Sequence, residues 1–117
     1  MSKSKNRLIT IKDIIENIEF ILENQNFKIT KAVEDKILKP AIKMHIIRIA
    51  EQFSKLKEEN EFEILENFDK DDLRGISAVR NFIAHDYDSV DDIIIENALR
   101  THFPKIKKTV ENILQTL

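Results

Sequence analysis

Within eight residues this chain places a permanent cation, a base that titrates near neutrality and a phenol: Arg80-Asn81-Phe82-Ile83-Ala84-His85-Asp86-Tyr87. Cutting RNA without a metal needs few parts. A base takes the proton of the ribose 2′-OH, a cation stabilises the charge that builds on phosphorus, and an acid protonates the leaving 5′ oxygen. Histidine, with a reference pKa of about 6.5, serves either proton role near neutral pH. Arginine stays charged and its fork of donors matches phosphate oxygens. His85 and Arg80 are therefore the candidate catalytic pair. One histidine per chain is thin for both acid and base, so two chains facing each other make a more complete site. Asp86 either orients His85 or accepts backbone hydrogen bonds in a turn, and the turn role is favoured. Taken singly, Arg80 and His85 are favourable cations at a helix C-terminus, and Tyr87 is a half-buried aromatic. Only their combination points to chemistry.

Positions five apart on an ideal helix differ by about 140°, so Arg80 and His85 do not share a face unless the helix stops near Ala84 and the chain turns. The elements that must hold them are helical. Ile11, Ile14, Ile15, Ile18, Ile21 and Leu22 recur at helical spacing, with Thr10 as N-cap. A second helical region spans about Thr30 to Leu56, where Pro40 kinks it or starts a fresh helix. Lys57 to Asp71 is densely charged without a clean period and reads as a loop with one short turn near Phe62 to Leu65. A third helix starts near Asp71, capped by Asp69 or Asp71. Its Leu73, Ile76, Val79, Phe82 and Ile83 form a wide apolar surface, which makes it the most buried helix, ending at Ala84 or His85. Ser89 caps a fourth helix that carries Ile95 to Leu117 and bends at Pro104. The expected architecture is all-α: an antiparallel up-and-down bundle of four long helices, with room for a short fifth, in a single domain over residues 1–117.

Composition agrees. One Gly and two Pro in 117 residues favour long helices over a turn-rich β fold. With no Cys there are no disulfides or thiolate metal sites. His45, His85 and His102 are scattered, so no metal centre is expected. No signal peptide or membrane span is read, and the cytoplasm is the expected location. The net charge of −2 is not that of a general nucleic-acid binder, so any RNA contact needs a local basic patch. Lys43, Arg48, Lys55 and Arg74 are the candidates for it, with Lys105, Lys107 and Lys108 a second, weaker group. His45 and His102 are expected at solvent or bundle edges, and Glu51 is read as a solvated helix charge.

The Arg-x4-His-x-Tyr string from Arg80 to Tyr87 resembles the motif of HepT-like toxins of the HEPN superfamily. Ile49-Ala50-Glu51-Gln52 is similar to that family's Ile-Gly-Glu-Ala segment, Ile76-Ser77-Ala78-Val79-Arg80-Asn81 to its Ile-Ala-Gly-Leu-Arg-Asn, and Phe103-Pro104-Lys105-Ile106-Lys107 to its Leu-Pro-x-Leu-Lys. The resemblance runs from about Leu8 to Leu117. Ala50 and Ala78 stand where glycines are expected, small-for-small changes that cost little in packing. The resemblance implies a metal-independent endoribonuclease toxin, acting as a two-fold homodimer on cellular RNA. Arg80 and His85 are then catalytic, with Asn81 a polar member of the site. It further implies a nucleotidyltransferase antitoxin of the MntA type, which uses ATP to add AMP to Tyr87, while the chain itself holds no cofactor. The competing expectation is a non-catalytic helical partner that helps a nucleotidyltransferase bind nucleotide or substrate.

Overall fold

The computed structural model describes residues 2–86, 88 and 91–117, and every regular element among them is helical. Helix α1 is Lys3–Asn24, α2 Ile29–Glu34, α3 Leu38–Glu58, α4 Phe62–Leu65, α5 Lys70–His85, α6 Asp92–Asn97 and α7 Phe103–Thr116, with a π-helical segment, Ala98–His102, joining the last two. The all-α expectation holds. The element count differs from a plain four-helix reading, because α2 and α4 are separate short helices and the last helix changes register midway. No helix among the described residues is long and apolar enough to cross a membrane.

Helix ends follow their capping chemistry. The Ser2 hydroxyl accepts the Lys5 N–H and starts α1 eight residues before Thr10. Thr10 is no cap: its hydroxyl donates to the Asn6 carbonyl one turn back, inside an established helix. Asp35 breaks the second region by accepting the N–H groups of Ile37 and Leu38. Pro40 then sits in the first turn of α3, where the missing donor has no intrahelical partner to lose. Asp69 caps α5 through the Asp71 N–H. Asp91 caps α6 through the Ile93 N–H, so the cap expected at Ser89 is taken by a residue two positions later; Ser89 lies outside the described residues.

One hydrophobic core joins α1, α3, α5 and the α6–α7 segment around Leu8, Ile11, Ile42, Ile46, Ile76, Ile83, Ile95 and Val110, all essentially inaccessible. Phe53 of α3 meets Phe68 edge-on at 5.0 Å, which ties the connection after α4 to this core. At the opposite end of the connection between α1 and α3, Arg7 and Lys3 both pair with Glu59, and the Arg7 guanidinium foremost holds the Glu59 carboxyl below the usual range. α5 is not the most buried helix. Ile76, Val79 and Ile83 are covered, but Leu73 is half-buried and Phe82 is 53% exposed, so its apolar surface is a single stripe.

The placement of α5 depends on a polar contact. Asp72, 2% exposed, accepts a bond from His102 Nδ1 at 2.7 Å and pairs with Lys105 Nζ at 3.2 Å. That bond to Asp72 is the main reason the Lys105 ammonium is held above the usual lysine range. His102 closes the π segment, and its ring lies over Gly75, the chain's one glycine: a Cβ there would sit 2.2 Å from His102 Nε2. The bend expected at Pro104 takes the form of this π segment. Pro104 has no N–H to give the Arg100 carbonyl, and the Phe103 N–H reaches back five residues to Ala98. His102 is thus a structural ligand of Asp72 and not the edge residue expected.

Gly75→Ala gains about 1 kcal/mol of helix propensity but forces the His102 ring away from a buried carboxylate, a loss of about 1–3 kcal/mol. Net destabilisation is expected in urea unfolding of the single variant. In a His102→Ala background the same substitution becomes neutral or stabilising. Additive effects in the double-mutant cycle would refute the coupling.

Candidate active site

Asp72, Ile76, Val79 and Ile83 face the core, so α5 turns Ser77, Ala78, Asn81 and Ala84 outward. The helix continues through His85, and Asp86 ends it with its backbone N–H bonded to the Phe82 carbonyl. The helix end read at Ala84 or His85 falls at His85, so Arg80 and His85 both belong to α5. Both line one shallow depression on the intact helix, together with Ala78, Asn81, Phe82 and Ala84. The residue between them in register supplies the link: Asn81 is one turn before His85, and its amide oxygen accepts from Arg80 Nη1 at 3.3 Å. Arg80 is half-buried, whereas Asn81, His85 and Asp86 are exposed. Tyr87 lies outside the described residues.

A second concavity meets the first at Arg80 and Asn81. It is a groove of about 640 Å³ between α3 and α5, closed on one side by α4. Ala50, Phe53 and Ile76 form its floor; Leu65 and Leu73 are half-buried walls. The chain reverses through α4, so Ala50 and Glu51 lie toward Arg80 and Asn81, while Lys57 and Glu58 lie toward Leu73. Four cations line the groove (Lys55, Lys57, Arg74 and Arg80) against two carboxylates (Glu51 and Glu58). A local excess of two positive charges thus sits on a chain of net charge −2.

The basic patch read from sequence is only partly assembled. Arg74 and Lys55 join the groove. Arg48 is exposed but does not line it. Lys43 is 4% exposed and leaves the patch altogether, because its position on α3 falls beside Ile42 and Ile46 in the buried stripe. Lys105 and Lys107 pair with Asp72 and Glu19. Of the two replaced glycines, Ala50 lies in the groove floor and Ala78 at the open depression, and neither position demands a missing side chain. Sequence reasoning missed the Asp72–His102–Lys105 contact. Its one visible signal was a lone glycine in the middle of a helix, which marks close approach.

The α5 face thus presents exposed asparagine and histidine and a half-buried arginine beside a groove lined by more cations than anions. The chain matches the sequence model of the HepT-like family, described as ribonuclease HepT-like, over residues 11–113, and it belongs to that family. Searches of curated proteins and of solved structures returned no match. Among the described residues no group of three His, Asp or Glu comes together as a metal-ligand cluster.

His45, expected at an edge, is half-buried. Its Nδ1 is shielded with no hydrogen-bond partner among the described residues. Burial first, and Arg48 second, lower its pKa from the ordinary value. Folded His45 therefore resists protonation that the unfolded chain accepts near pH 6.5. Between the lowered native value and about 6.5 the unfolded state binds more protons, and stability falls as pH drops through that window. Melting temperatures measured from pH 7 to pH 5 should fall less steeply for His45→Gln than for wild type; parallel profiles would remove His45 from this role.

Proposed function

We propose that this protein is the toxin of a toxin–antitoxin pair, a metal-independent endoribonuclease that cuts cellular RNA at a site built on Arg80 and His85. The observation that carries the reading is the shared depression: in a chain of the HepT-like ribonuclease family, Arg80, Asn81 and His85 line one open surface on α5. In the reaction the 2′ oxygen attacks the adjacent phosphorus and loses its proton to a base. The new P–O2′ bond forms as the P–O5′ bond breaks, and the departing 5′ oxygen takes a proton. His85 handles one of these protons, Arg80 stabilises the phosphorane oxygens, and Asn81 holds the Arg80 side chain over the site. Asp86 supports the helix end that carries His85.

The depression is open on the side away from the core, and a second copy placed there brings a second His85 for the other proton transfer. A two-fold homodimer of one-domain subunits is thus part of the proposal. So is silencing by a nucleotidyltransferase antitoxin, which transfers AMP from ATP to Tyr87. The adenylyl phosphate, on a residue seven positions from Arg80 and two from His85 in sequence, adds bulk and negative charge where the substrate phosphate must sit. Both proteins then act in the cytoplasm, and the toxin itself needs no cofactor.

Purified wild type should fragment total cellular RNA in the presence of a chelator, and His85→Ala or Arg80→Ala should slow this at least about 100-fold, the usual scale for losing a proton-transfer group or a charge-stabilising donor. Intact RNA with the unmodified wild type, or equal cutting by the variants, would sink the nuclease reading. After co-expression with a cognate nucleotidyltransferase, intact mass should rise by one adenylyl group in wild type and not in Tyr87→Phe. A gain that survives the substitution would place the modification elsewhere.

A further inference from the structure

The groove between α3 and α5 has a chemistry of its own. Its volume of about 640 Å³ falls in the range of sites that bury a small organic ligand. Its floor is apolar, its walls are the half-buried Leu65 and Leu73, and cations dominate its rim. It opens onto the depression through Arg80 and Asn81, which line both. From Ala50 to Glu58 the α3 side is about 12 Å long at 1.5 Å per residue, enough for one nucleoside and a flanking phosphate and too confined for a duplex.

We propose, resting on the nuclease reading above, that this groove is a nucleotide subsite which takes the unpaired base next to the scissile phosphate and so makes the enzyme specific for single-stranded RNA. The base lies against Leu65 and Leu73 with the planar guanidinium of Arg74 beside it, since splayed bases stack on apolar and guanidinium surfaces. Lys55 and Lys57 meet the phosphate on the far side of that base. Charge complementarity selects this occupant: the groove carries two more cations than anions, while the whole chain is at −2. The carboxylates of Glu51 and Glu58 repel phosphate and accept hydrogen bonds from exocyclic amino groups, so they serve the base edge. Adenine, cytosine and guanine present such groups; uracil does not. Arg74, Lys55 and Lys57 are positioning residues, remote from the bond that breaks.

The test is binding without cleavage. A fluorescein-labelled adenylate tetranucleotide, 2′-O-methylated so that it cannot be cut, is titrated with the full-length protein and followed by anisotropy. Wild type should bind it at least tenfold more tightly than the same sequence held in a duplex and more tightly than the uridylate tetranucleotide. Arg74→Glu should weaken binding at least tenfold, whereas Lys31→Glu, the same charge change on the exposed face of α2, should leave it within twofold. Lys57→Ala should reduce the slope of log Kd against log salt by about 0.7, the signature of one lost single-strand phosphate contact. Leu65→Ala, accepted only with an unchanged far-ultraviolet spectrum and a cooperative melt, tests the apolar wall through the loss of adenylate over uridylate preference. Equal effects of the Arg74 and Lys31 reversals, or duplex bound as well as single strand, would overturn the subsite. So would a dimer that falls to monomer in Arg74→Glu, since the groove would then be an interface between copies. The two readings fail separately. Groove-dependent binding by a wild type that never cuts RNA removes the nuclease and leaves the subsite, and undiminished cutting with unchanged KM in Arg74→Glu removes the subsite and leaves the nuclease.

Discussion

The approach of α5 to the π segment is the contact on which the rest of this molecule depends. A helix can come this close to a histidine ring only where it lacks a Cβ, and Gly75 is the single position that does. The ring in turn is held by a carboxylate that burial would otherwise make costly: Asp72 is tolerated because His102 and Lys105 both answer it. The rotation of α5 about its axis is fixed by that bond together with Ile76, Val79 and Ile83. Once it is fixed, residues 77, 78, 81, 84 and 85 have nowhere to point but outward. The outward face is thus set from the far side of its own helix, by the buried Asp72 and the side chains that answer it.

The same constraint reaches the groove. α3 packs on α5 through Ala50, Phe53 and Ile76, and the small side chain of Ala50 leaves room above the floor. α4 and the Phe53–Phe68 contact hold the third wall in place. A short helix of four residues would be marginal alone. Here the contact of Phe68, just after it, with Phe53 of α3 anchors it, and Leu65 is presented to the groove.

Much of this was legible in the residues. Apolar spacing revealed α1, α3, α5 and α7, because burial of one stripe is the force that makes those helices. Asp69 and the break before Pro40 were readable for local reasons: an aspartate before a helix and a missing donor act within four residues. Thr10 misled because a hydroxyl that caps a helix start also bonds the carbonyl one turn back, and which it does depends on whether helix already precedes it. Ser89 and Asp91 compete within one short segment, and only the backbone decides between them. Lys43 looked like a surface charge because its type says solvent, while its long aliphatic stem can follow Ile42 and Ile46 inward. The motif itself was visible as a string, but how its members meet was not. Ideal geometry sets Arg80 and His85 apart; the structure keeps both on one helix at the lining of a single shallow depression, with Asn81 bonded to Arg80.

That surface is open. Asn81, Ala84 and His85 are exposed and Arg80 is only half-covered, so the charges on which chemistry would draw are bathed in a medium of high dielectric. Two unit charges 4 Å apart attract by about 1 kcal/mol in bulk water and about 4 kcal/mol at an effective dielectric of 20. In the proposed two-fold dimer, the copy that covers α5 and expels the water would supply that difference. For the activity proposed above, the cover would then matter to reactivity as much as the fold beneath it.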